Sequence, residues 1–237
     1  MTHHYNDQTA KHYAAFRPEL HGLILRRLIR PREHFQIGLD IGCGTGYSAV
    51  ALTDHCDWVF GLEPSQPMLD EATVHPRVSY ANGGGDDLSV LSKERFDVIS
   101  FAGSLCYAKT DQLKLELLRT IEPDGLVLVY DFQVLLEDLV TRLGVSCPAA
   151  TSQYNYTENL GDWPEFATEV AETDRVKLEL SIREISHILL ADSDRYASFQ
   201  ELFRDADPFD CLTKQIQQQD REPQLHAEIY FSRHSLV

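Results

Sequence analysis

Three glycines and two carboxylates stand close together in one part of this 237-residue chain. Gly42, Gly44 and Gly46 follow Asp40 directly in the stretch LDIGCGTGYSAV, and Glu63 comes 21 positions after Gly42. Glycines let the backbone turn tightly and let a ligand lie against it. A carboxylate at the position of Glu63 is suited to accept hydrogen bonds from both hydroxyls of a ribose. The pattern therefore predicts a nucleoside-binding site.

The spacing of the glycines leaves two ligands open. Gly44, Gly46 and Ala49 satisfy the G-x-G-x-x-A fingerprint of dinucleotide sites. Asp40 argues against a pyrophosphate, because a phosphate seated at this loop would meet a carboxylate. S-adenosylmethionine has no phosphate and carries a sulfonium and an ammonium, which carboxylates favour. The sequence thus favours S-adenosylmethionine, and an NAD-dependent oxidoreductase remains the alternative.

The elements that must position these residues alternate between strand and helix. The predicted strands are continuously apolar, which is typical of a parallel sheet covered by helices. Ligands of such sheets sit beyond the carboxyl ends of the strands. Strands are predicted at 36–42, 58–63, 77–83, 96–103, 125–132, 177–190 and 225–237, and helices at 18–29, 47–56, from about 65, 110–121 and 195–206.

The alternation is interrupted after the fifth strand. We interpret residues 1–132 as an N-terminal cap and a cofactor-binding α/β core, and residues 133–176 as an inserted lid or substrate lobe, because the stretch SQYNYTENLGDWPEF is aromatic and polar. Residues 177–237 are the C-terminal part of the same α/β domain, with a polar loop at 214–224.

Composition excludes several classes of function. A formal net charge of -16 would repel a polyphosphate backbone, so nucleic acid is not an expected partner. The five cysteines are scattered singly and form no C-x-x-C pair, which favours a reducing, cytoplasmic setting and predicts no metal site. No stretch is apolar over the length of a bilayer, so no membrane association is expected.

Several motifs together resemble the class I S-adenosylmethionine-dependent methyltransferases. They cover residues 36–132, and the opening YNDQTAKHYAAFRPEL is similar to that of small-molecule members. The resemblance implies a Rossmann-like, seven-stranded, mostly parallel sheet with helices on both faces, and methyl transfer to a small-molecule acceptor. The motifs are LDIGCGTGYSA, GLEPSQPMLDEA, VSYANGGGDDLSVL, RFDVISFAGSLCYAK and LLRTIEPDGLVLVYDF.

The resemblance also implies which residues hold the cofactor. One position departs from the family pattern: Gly84 stands where relatives carry an aspartate that accepts from the adenine amino group. Asp86, Asp87 or the backbone of Gly85 is left to read the adenine. The implied cofactor residues are Asp40, Gly42, Cys43, Gly44, Gly46, Glu63, Pro64, Met68, Gly85, Asp86, Tyr13 and Arg17.

The candidate acceptor residues lie after the fourth strand and in the predicted lid. For each of them, ordinary packing is the alternative interpretation. We expect the N-terminal segment and the lid to close over the cofactor and form the acceptor pocket. The candidates are Cys106, Tyr107, Tyr154, Tyr156, Trp163 and His187.

No catalytic residue is assigned from the sequence, because the sulfonium is already a good leaving group and a base is optional. A protein that binds S-adenosylmethionine without catalysis therefore remains a further alternative. The acceptor and the oligomeric state do not follow from the sequence.

Overall fold

The chain divides into two compact units in the computed structural model, which describes residues 9, 11, 12, 15, 16, 18–91, 95–145, 154–204, 206–219 and 223–237. The sheet unit comprises Glu19–Gln133, Tyr154–Asp174 and Ile229–Val237. The helical unit comprises Met1–Pro18, Val134–Gln153 and Arg175–Glu228.

Seven strands form one sheet. Their bounds are β1 Phe35–Ile41, β2 Cys56–Glu63, β3 Val78–Asn82, β4 Phe96–Ala102, β5 Ile121–Leu135, β6 Phe166–Leu178 and β7 Leu225–Leu236. Their order is β3-β2-β1-β4-β5-β7-β6. The pairings β1–β2, β1–β4, β2–β3 and β4–β5 are parallel, so these five strands end at one edge. The predicted Rossmann-like, mostly parallel sheet is confirmed.

The helices of the sheet unit fall between these strands. They are α1 Leu20–Leu28, α2 Tyr47–Leu52, α3 Gln66–Asp70, α4 Leu105–Ala108 and α5 Asp111–Thr120, with a 3₁₀ turn at Leu88–Val90. In the helical unit the described helices are α6 Glu137–Arg142, α7 Ile182–Leu190, α8 Ser193–Phe203 and α9 Pro208–Gln219.

Successive side chains of β1 point to opposite faces of the sheet. Leu39 and Ile41 are buried in one apolar cluster with Leu113 and Leu117 of α5. Asp40, between them, faces the other way and contacts α2. Because alternate residues of a strand meet different helices, both faces of the sheet are covered.

The predicted strand at 177–190 is wrong over most of its length, because residues 182–190 form helix α7. Ser181 and Glu184 form a capping box at the start of this helix. The buried residues Ile185, Ile188 and Leu189 follow helical spacing. The predicted polar loop at 214–224 is also shorter than expected, since α9 continues to Gln219.

The interpretation of residues 133–176 as an inserted lid or substrate lobe stays a prediction, and the division into units falls within this range. Val134–Gln153 belongs to the helical unit, whereas Tyr154–Asp174 belongs to the sheet unit. Strand β6 begins inside the predicted lid at Phe166. It stands at an edge of the sheet and most of its residues are exposed, so its polar sequence lacks the pattern of a buried strand.

Among the residues that the structure describes, no helix is both long and apolar enough to span a membrane.

Candidate functional site

The glycine loop follows β1 at the carboxyl edge of the parallel strands. Gly42, Gly44 and Gly46 all have positive φ, at 74°, 56° and 85°. A Cβ on Gly42 would lie 2.4 Å from the Cβ of Ser104, and one on Gly46 would lie 2.1 Å from the hydroxyl of Tyr80. The neighbours at these two positions exclude any side chain, so the loop presents bare backbone.

Asp40, near the end of β1, stabilises the start of this loop through two hydrogen bonds. Its carboxylate is fully buried and accepts hydrogen bonds from the hydroxyls of Ser48 at 2.5 Å and Ser100 at 2.8 Å. Burial raises the pKa of Asp40 to about 6, although the two serines act to lower it. Each carboxylate oxygen accepts one of these hydrogen bonds, and contact of Asp40 with the cofactor stays a prediction. Asp40 fixes the end of β1 and the start of α2.

Glu63 connects the glycine loop to the loop after β2. One carboxylate oxygen accepts from the backbone amide of Gly44 at 3.0 Å, and the other accepts from the amide of Ser65 at 2.9 Å. An ionised carboxylate has about four lone-pair positions, so each oxygen keeps the capacity to accept from a ribose hydroxyl. Glu63 is only 9% exposed, and its two amide contacts hold it in one orientation.

The other predicted residues near the loop differ in their positions. Met68, on α3, is half-buried, and its sulfur lies 3.7 Å from where a Cβ on Gly44 would stand. Pro64 is exposed, and its carbonyl accepts from Asn82. Cys43 has a buried side chain whose pKa is raised by burial, so only its backbone is placed to meet a ligand.

The turn after β3 contains the predicted adenine-reading group. Gly85 is buried, and a Cβ there would lie 2.9 Å from Leu113. Asp87 is engaged by Ser89, whose amide and hydroxyl both donate to its Oδ1. Asp86 is exposed at the turn. Of the two aspartates that the sequence left open, Asp86 is the one without this capping role.

The loop after β4 touches the glycine loop. The hydroxyl of Ser104 donates to the carbonyl of Ile41 at 2.5 Å. Cys106 and Tyr107 follow on α4, where Cys106 is half-buried and Tyr107 is 76% exposed. The ring centroid of Tyr107 lies 5.4 Å from that of Tyr154.

The structure adds Asp131, which sequence reasoning missed. Asp131 lies on β5, and its Oδ2 accepts from the hydroxyl of Tyr154 at 2.5 Å. The same hydroxyl lies 2.8 Å from the carbonyl of Gly103, and a Cβ on Gly103 would be 3.2 Å from Oδ1 of Asp131. Burial raises the pKa of Asp131 to about 6. Its only sequence signal was a charge after the apolar run GLVLVY.

Tyr154 begins a row of aromatic rings. Its ring centroid lies 4.7 Å from that of Tyr156, which in turn lies 5.7 Å from Tyr230. Tyr156 and Tyr230 line a half-open cavity of about 190 Å³ within the sheet unit, together with Tyr130, Glu158 and Glu172. The structure thus brings the predicted residues Tyr107, Tyr154 and Tyr156 together.

Trp163 does not join this row. It is only 8% exposed and belongs to the apolar cluster of the sheet unit, where its ring centroid lies 6.2 Å from that of Phe166. Lys109 and Lys114 stand over its ring at 5.5 and 5.7 Å from the centroid. The prediction that Trp163 lines an acceptor pocket is therefore corrected: the residue packs in the core.

His187 lies on α7 in the helical unit. Its Nδ1 is 3.0 Å from Nδ1 of His12, and its ring lies 4.4 Å from the ring of Phe209. Burial lowers the pKa of both histidines. Tyr13 and Arg17 lie outside the described residues, so the predicted closure of the N-terminal segment over the cofactor stays a prediction.

The family comparison agrees with this geometry. Residues 39–129 match the family model described as a methyltransferase domain. A relative is the probable S-adenosylmethionine-dependent methyltransferase CRG1 of Saccharomyces cerevisiae, which is 25% identical over 122 residues. The match covers 48% of this chain and 42% of the relative, so the chain spans less than half the length of that protein.

Solved structures share the fold over nearly the whole chain. A protein from Anaeromyxobacter dehalogenans, provisionally classed as a type II methyltransferase, superposes with a TM-score of 0.64 and 19% identity, covering 93% of this chain and 98% of its own. A protein from Bacillus halodurans, also provisionally classed as a methyltransferase, gives a TM-score of 0.53 and 15% identity, covering 90% and 97%. These likenesses show the fold.

Proposed function

We propose that residues 39–129, which match the family model of a methyltransferase domain, bind S-adenosylmethionine in the manner of the class I methyltransferases, and that the protein transfers a methyl group from this cofactor to a small-molecule acceptor. The cofactor is S-adenosylmethionine, the reaction is methyl transfer, and the acceptor is a small molecule in this proposal. The cytoplasmic location and the absence of metal and nucleic-acid partners stay predictions.

One observation carries the proposal: the carboxylate of Glu63 is held by the amide of Gly44 in the glycine loop and by the amide of Ser65 in the next loop. These contacts hold a charged acceptor in one orientation beside bare glycine backbone, which supports a role in binding a ribose. Charge-assisted hydrogen bonds to a fixed carboxylate are among the strongest in proteins. Met68 adds a soft apolar surface beside the same loop.

The residues present fit this cofactor. Gly42, Gly44 and Gly46 would lie against it, Glu63 would accept from its ribose, and the turn at Gly85 and Asp86 would meet its base. S-adenosylmethionine would supply a methyl group bound to a sulfonium, and the sulfur needs no further activation to act as the leaving group. The main task of the chain is then to hold the acceptor in line with this group and to exclude water.

Calorimetry tests the proposal. The protein is titrated with S-adenosylmethionine, S-adenosylhomocysteine and NAD in separate experiments. We expect saturable binding of the first two and none of NAD. Saturable binding of NAD with no response to S-adenosylhomocysteine would overturn the assignment.

A second experiment separates an enzyme from a binding protein. The protein is incubated with methyl-labelled S-adenosylmethionine and a panel of small amines, phenols, thiols and carboxylates, and label in the acceptors is counted. Label in any acceptor supports transfer. Tight cofactor binding with no label in the whole panel would favour a protein that binds the cofactor without catalysis.

A further inference from the structure

The cavity of the sheet unit is lined for a cation. The rings of Tyr156 and Tyr230 and two carboxylates, Glu158 and Glu172, contribute to its wall, which also includes Tyr130, a residue only 2% exposed. Aromatic faces attract ammonium groups, and the attraction grows when water is excluded. The overall charge of -16 also favours a positively charged ligand.

A lysine near the cavity pairs with one of its two carboxylates and leaves the other. The ammonium of Lys109 is 2.6 Å from Glu158 and 2.6 Å from Asp162, so it stands between two carboxylates. It also donates to the carbonyl of Asn159 at 2.6 Å. Lys109 therefore holds the loop that carries Glu158, and Glu172 remains as a further carboxylate of the wall.

The cavity is connected by direct contacts to the glycine loop. The carbonyl of Tyr130 accepts from the amide of Gly103 at 2.8 Å. The next residue, Ser104, donates to the carbonyl of Ile41 and packs where a side chain on Gly42 would stand. The path from the cavity wall to the glycine loop thus passes through the end of β4.

Asp131 and Tyr154 do not line the cavity but lie beside it, because the ring centroid of Tyr154 is 4.7 Å from that of the lining residue Tyr156, and the pair can hold an extra proton. The hydroxyl of Tyr154 has one proton but two acceptors within reach, the carboxylate of Asp131 and the carbonyl of Gly103. With Asp131 ionised, Tyr154 donates to only one of them. With Asp131 protonated, Asp131 donates to Tyr154 while Tyr154 donates to Gly103, and both hydrogen bonds form. The pair is therefore hydrogen-bonded in both protonation states.

From the cavity and this pair together, we infer that the methyl acceptor is a cationic amine bound in the tyrosine-lined cavity, and that Asp131, with Tyr154, accepts the proton which the amine must lose. This inference rests on the proposed function and names its substrate class. A phenolate acceptor is disfavoured, because the carboxylate of Glu172 in the wall would repel it.

The proton balance of the step is simple. The bound ammonium gives one proton to the hydroxyl of Tyr154, which passes its own proton to the carboxylate of Asp131, and the ammonium becomes a free amine with a lone pair. That nitrogen forms a bond to the methyl carbon, while the sulfur–carbon bond breaks and its electron pair stays on sulfur. Like-charge repulsion from the sulfonium lowers the pKa of the ammonium and favours the loss of its proton.

The surroundings of the pair suit this role. Burial raises the pKa of Asp131 to about 6, so the carboxylate is ionised at neutral pH yet holds a proton readily. Burial, followed by the charge of Asp131, raises the pKa of Tyr154, and burial, followed by the charges of Asp40 and Asp131, raises the pKa of Tyr130, so both hydroxyls stay protonated. Tyr107 and Cys106 act on Tyr154 in the same direction.

Binding of a matched pair of probes tests the substrate class. Protein saturated with S-adenosylhomocysteine is titrated with 2-phenylethylamine and with 2-phenylethanol, which differ in the ammonium group. We expect the amine to bind about tenfold more tightly at neutral pH, from contact of the cation with the rings and carboxylates. Equal binding of the two, or binding of neither, would overturn the inference.

Two substitutions at one position locate the site. Tyr156→Leu removes the ring and should weaken amine binding about tenfold, whereas Tyr156→Phe keeps the ring and should retain it. Both variants should bind S-adenosylhomocysteine as the unaltered protein does. If the unaltered protein does not bind S-adenosylhomocysteine, the proposed function itself is refuted. If it binds S-adenosylhomocysteine but not the amine, only the assignment of the cavity is refuted.

Asp131→Asn tests the proton acceptor. Methylation of 2-phenylethylamine is followed by mass spectrometry across a pH series. We expect kcat of the unaltered protein to fall as the pH drops through about 6, since only the ionised carboxylate accepts a proton. In Asp131→Asn, kcat should be about 100-fold lower and should not fall in this way as the pH drops, while the affinity for the amine is retained.

Asp124→Asn is the matched control, because Asp124 is an exposed aspartate on the same strand. It should keep the pH profile of the unaltered protein. The same fall of kcat with pH in Asp131→Asn, or no methylated product from an amine that binds, would overturn the role of Asp131. The pH dependence of the Asp131 carboxyl carbon signal in NMR gives a readout independent of turnover.

Discussion

The carboxylate of Glu63 lies 3.0 Å from the backbone amide of Gly44, 19 positions earlier in the chain. This hydrogen bond joins the ends of two neighbouring parallel strands, β1 and β2, which pair from Phe35 with Cys56 to Ile41 with Leu62. The second oxygen of Glu63 reaches the amide of Ser65. Glu63 therefore orders the cofactor loop as well as offering acceptors to a ligand.

Glu63→Gln should weaken binding of S-adenosylhomocysteine. The amide keeps the shape of the side chain, but its NH₂ group faces a backbone amide that also donates. Loss of one charge-assisted hydrogen bond costs about 1.5 to 3 kcal/mol, or roughly 10- to 150-fold in affinity. Glu71→Gln, an exposed glutamate just after α3, is the control for calorimetry. Equal affinities in the two variants would show that the ribose is held elsewhere.

Gly46→Ala should lower the free energy of unfolding by more than the cost of placing alanine at the positive φ of this position. The new Cβ would lie 2.1 Å from the hydroxyl of Tyr80, so either the loop or the ring must move. Gly144→Ala is the matched control, since Gly144 has a similar φ of 83° with nothing within 4 Å of the Cβ position. That control should lose only about 1 to 2 kcal/mol.

Urea unfolding of both variants compares these costs. Tyr80→Ala combined with Gly46→Ala should recover part of the difference, because the ring that blocks the Cβ is then absent. Equal destabilisation by Gly46→Ala and Gly144→Ala would mean that the contact with Tyr80 is unimportant.

The central sheet could be predicted from the sequence because buried parallel strands are continuously apolar. Residues 36–42 and 96–103 were assigned nearly as β1 and β4 have them. Strand β6 could not be assigned, since an exposed edge strand has no such run. Helix α7 was mistaken because alternation in KLELSIREI gave a competing strand pattern, which the cap at Ser181 overrides.

The site could be predicted only where it depends on local backbone. The glycines and Glu63 follow from residue type and spacing along one β–α–β unit. The burial of Asp40 depends on Ser100, which is 60 positions away, and the proton-holding pair depends on Tyr154, which is 23 positions from Asp131. Contacts between distant segments have no local pattern, so these roles required the structure.

Asp40 should make stability fall as the pH rises from about 4 to about 6. Burial raises its pKa from 3.8 to about 6, so the folded protein binds more protons than the unfolded chain in this window. The contribution is fully present below the unfolded value and lost through the folded one. Its size is on the order of 3 kcal/mol.

Asp40→Asn removes this titration while leaving a polar side chain for the two serines. The free energy of unfolding in urea should therefore depend less on pH in Asp40→Asn than in the unaltered protein between these values. Asp124→Asn is the exposed control and should parallel the unaltered protein. A constant difference between Asp40→Asn and the unaltered protein at all pH values would contradict the prediction.

Arg233→Ala should be among the most destabilising substitutions of a charged residue in the sheet unit. The guanidinium is 3% exposed and donates to the carbonyl of Leu28, to both oxygens of Glu33 and to Glu169. Its removal leaves a buried carbonyl and two partly buried carboxylates without this donor. Breaking a buried ion pair from one side costs about 3 to 5 kcal/mol.

Arg27→Ala is the matched control, because Arg27 pairs with Asp174 at the surface, where both side chains are about 40% exposed. Exposed pairs contribute about 1 kcal/mol or less. Replacing Glu33 by Gln in the Arg233→Ala background should recover part of the stability, since Glu33 loses its ion pair whereas Glu169 keeps the pair with Arg30. A loss in Arg233→Ala no larger than that in Arg27→Ala, measured by urea unfolding at neutral pH, would show that water replaces the guanidinium at little cost.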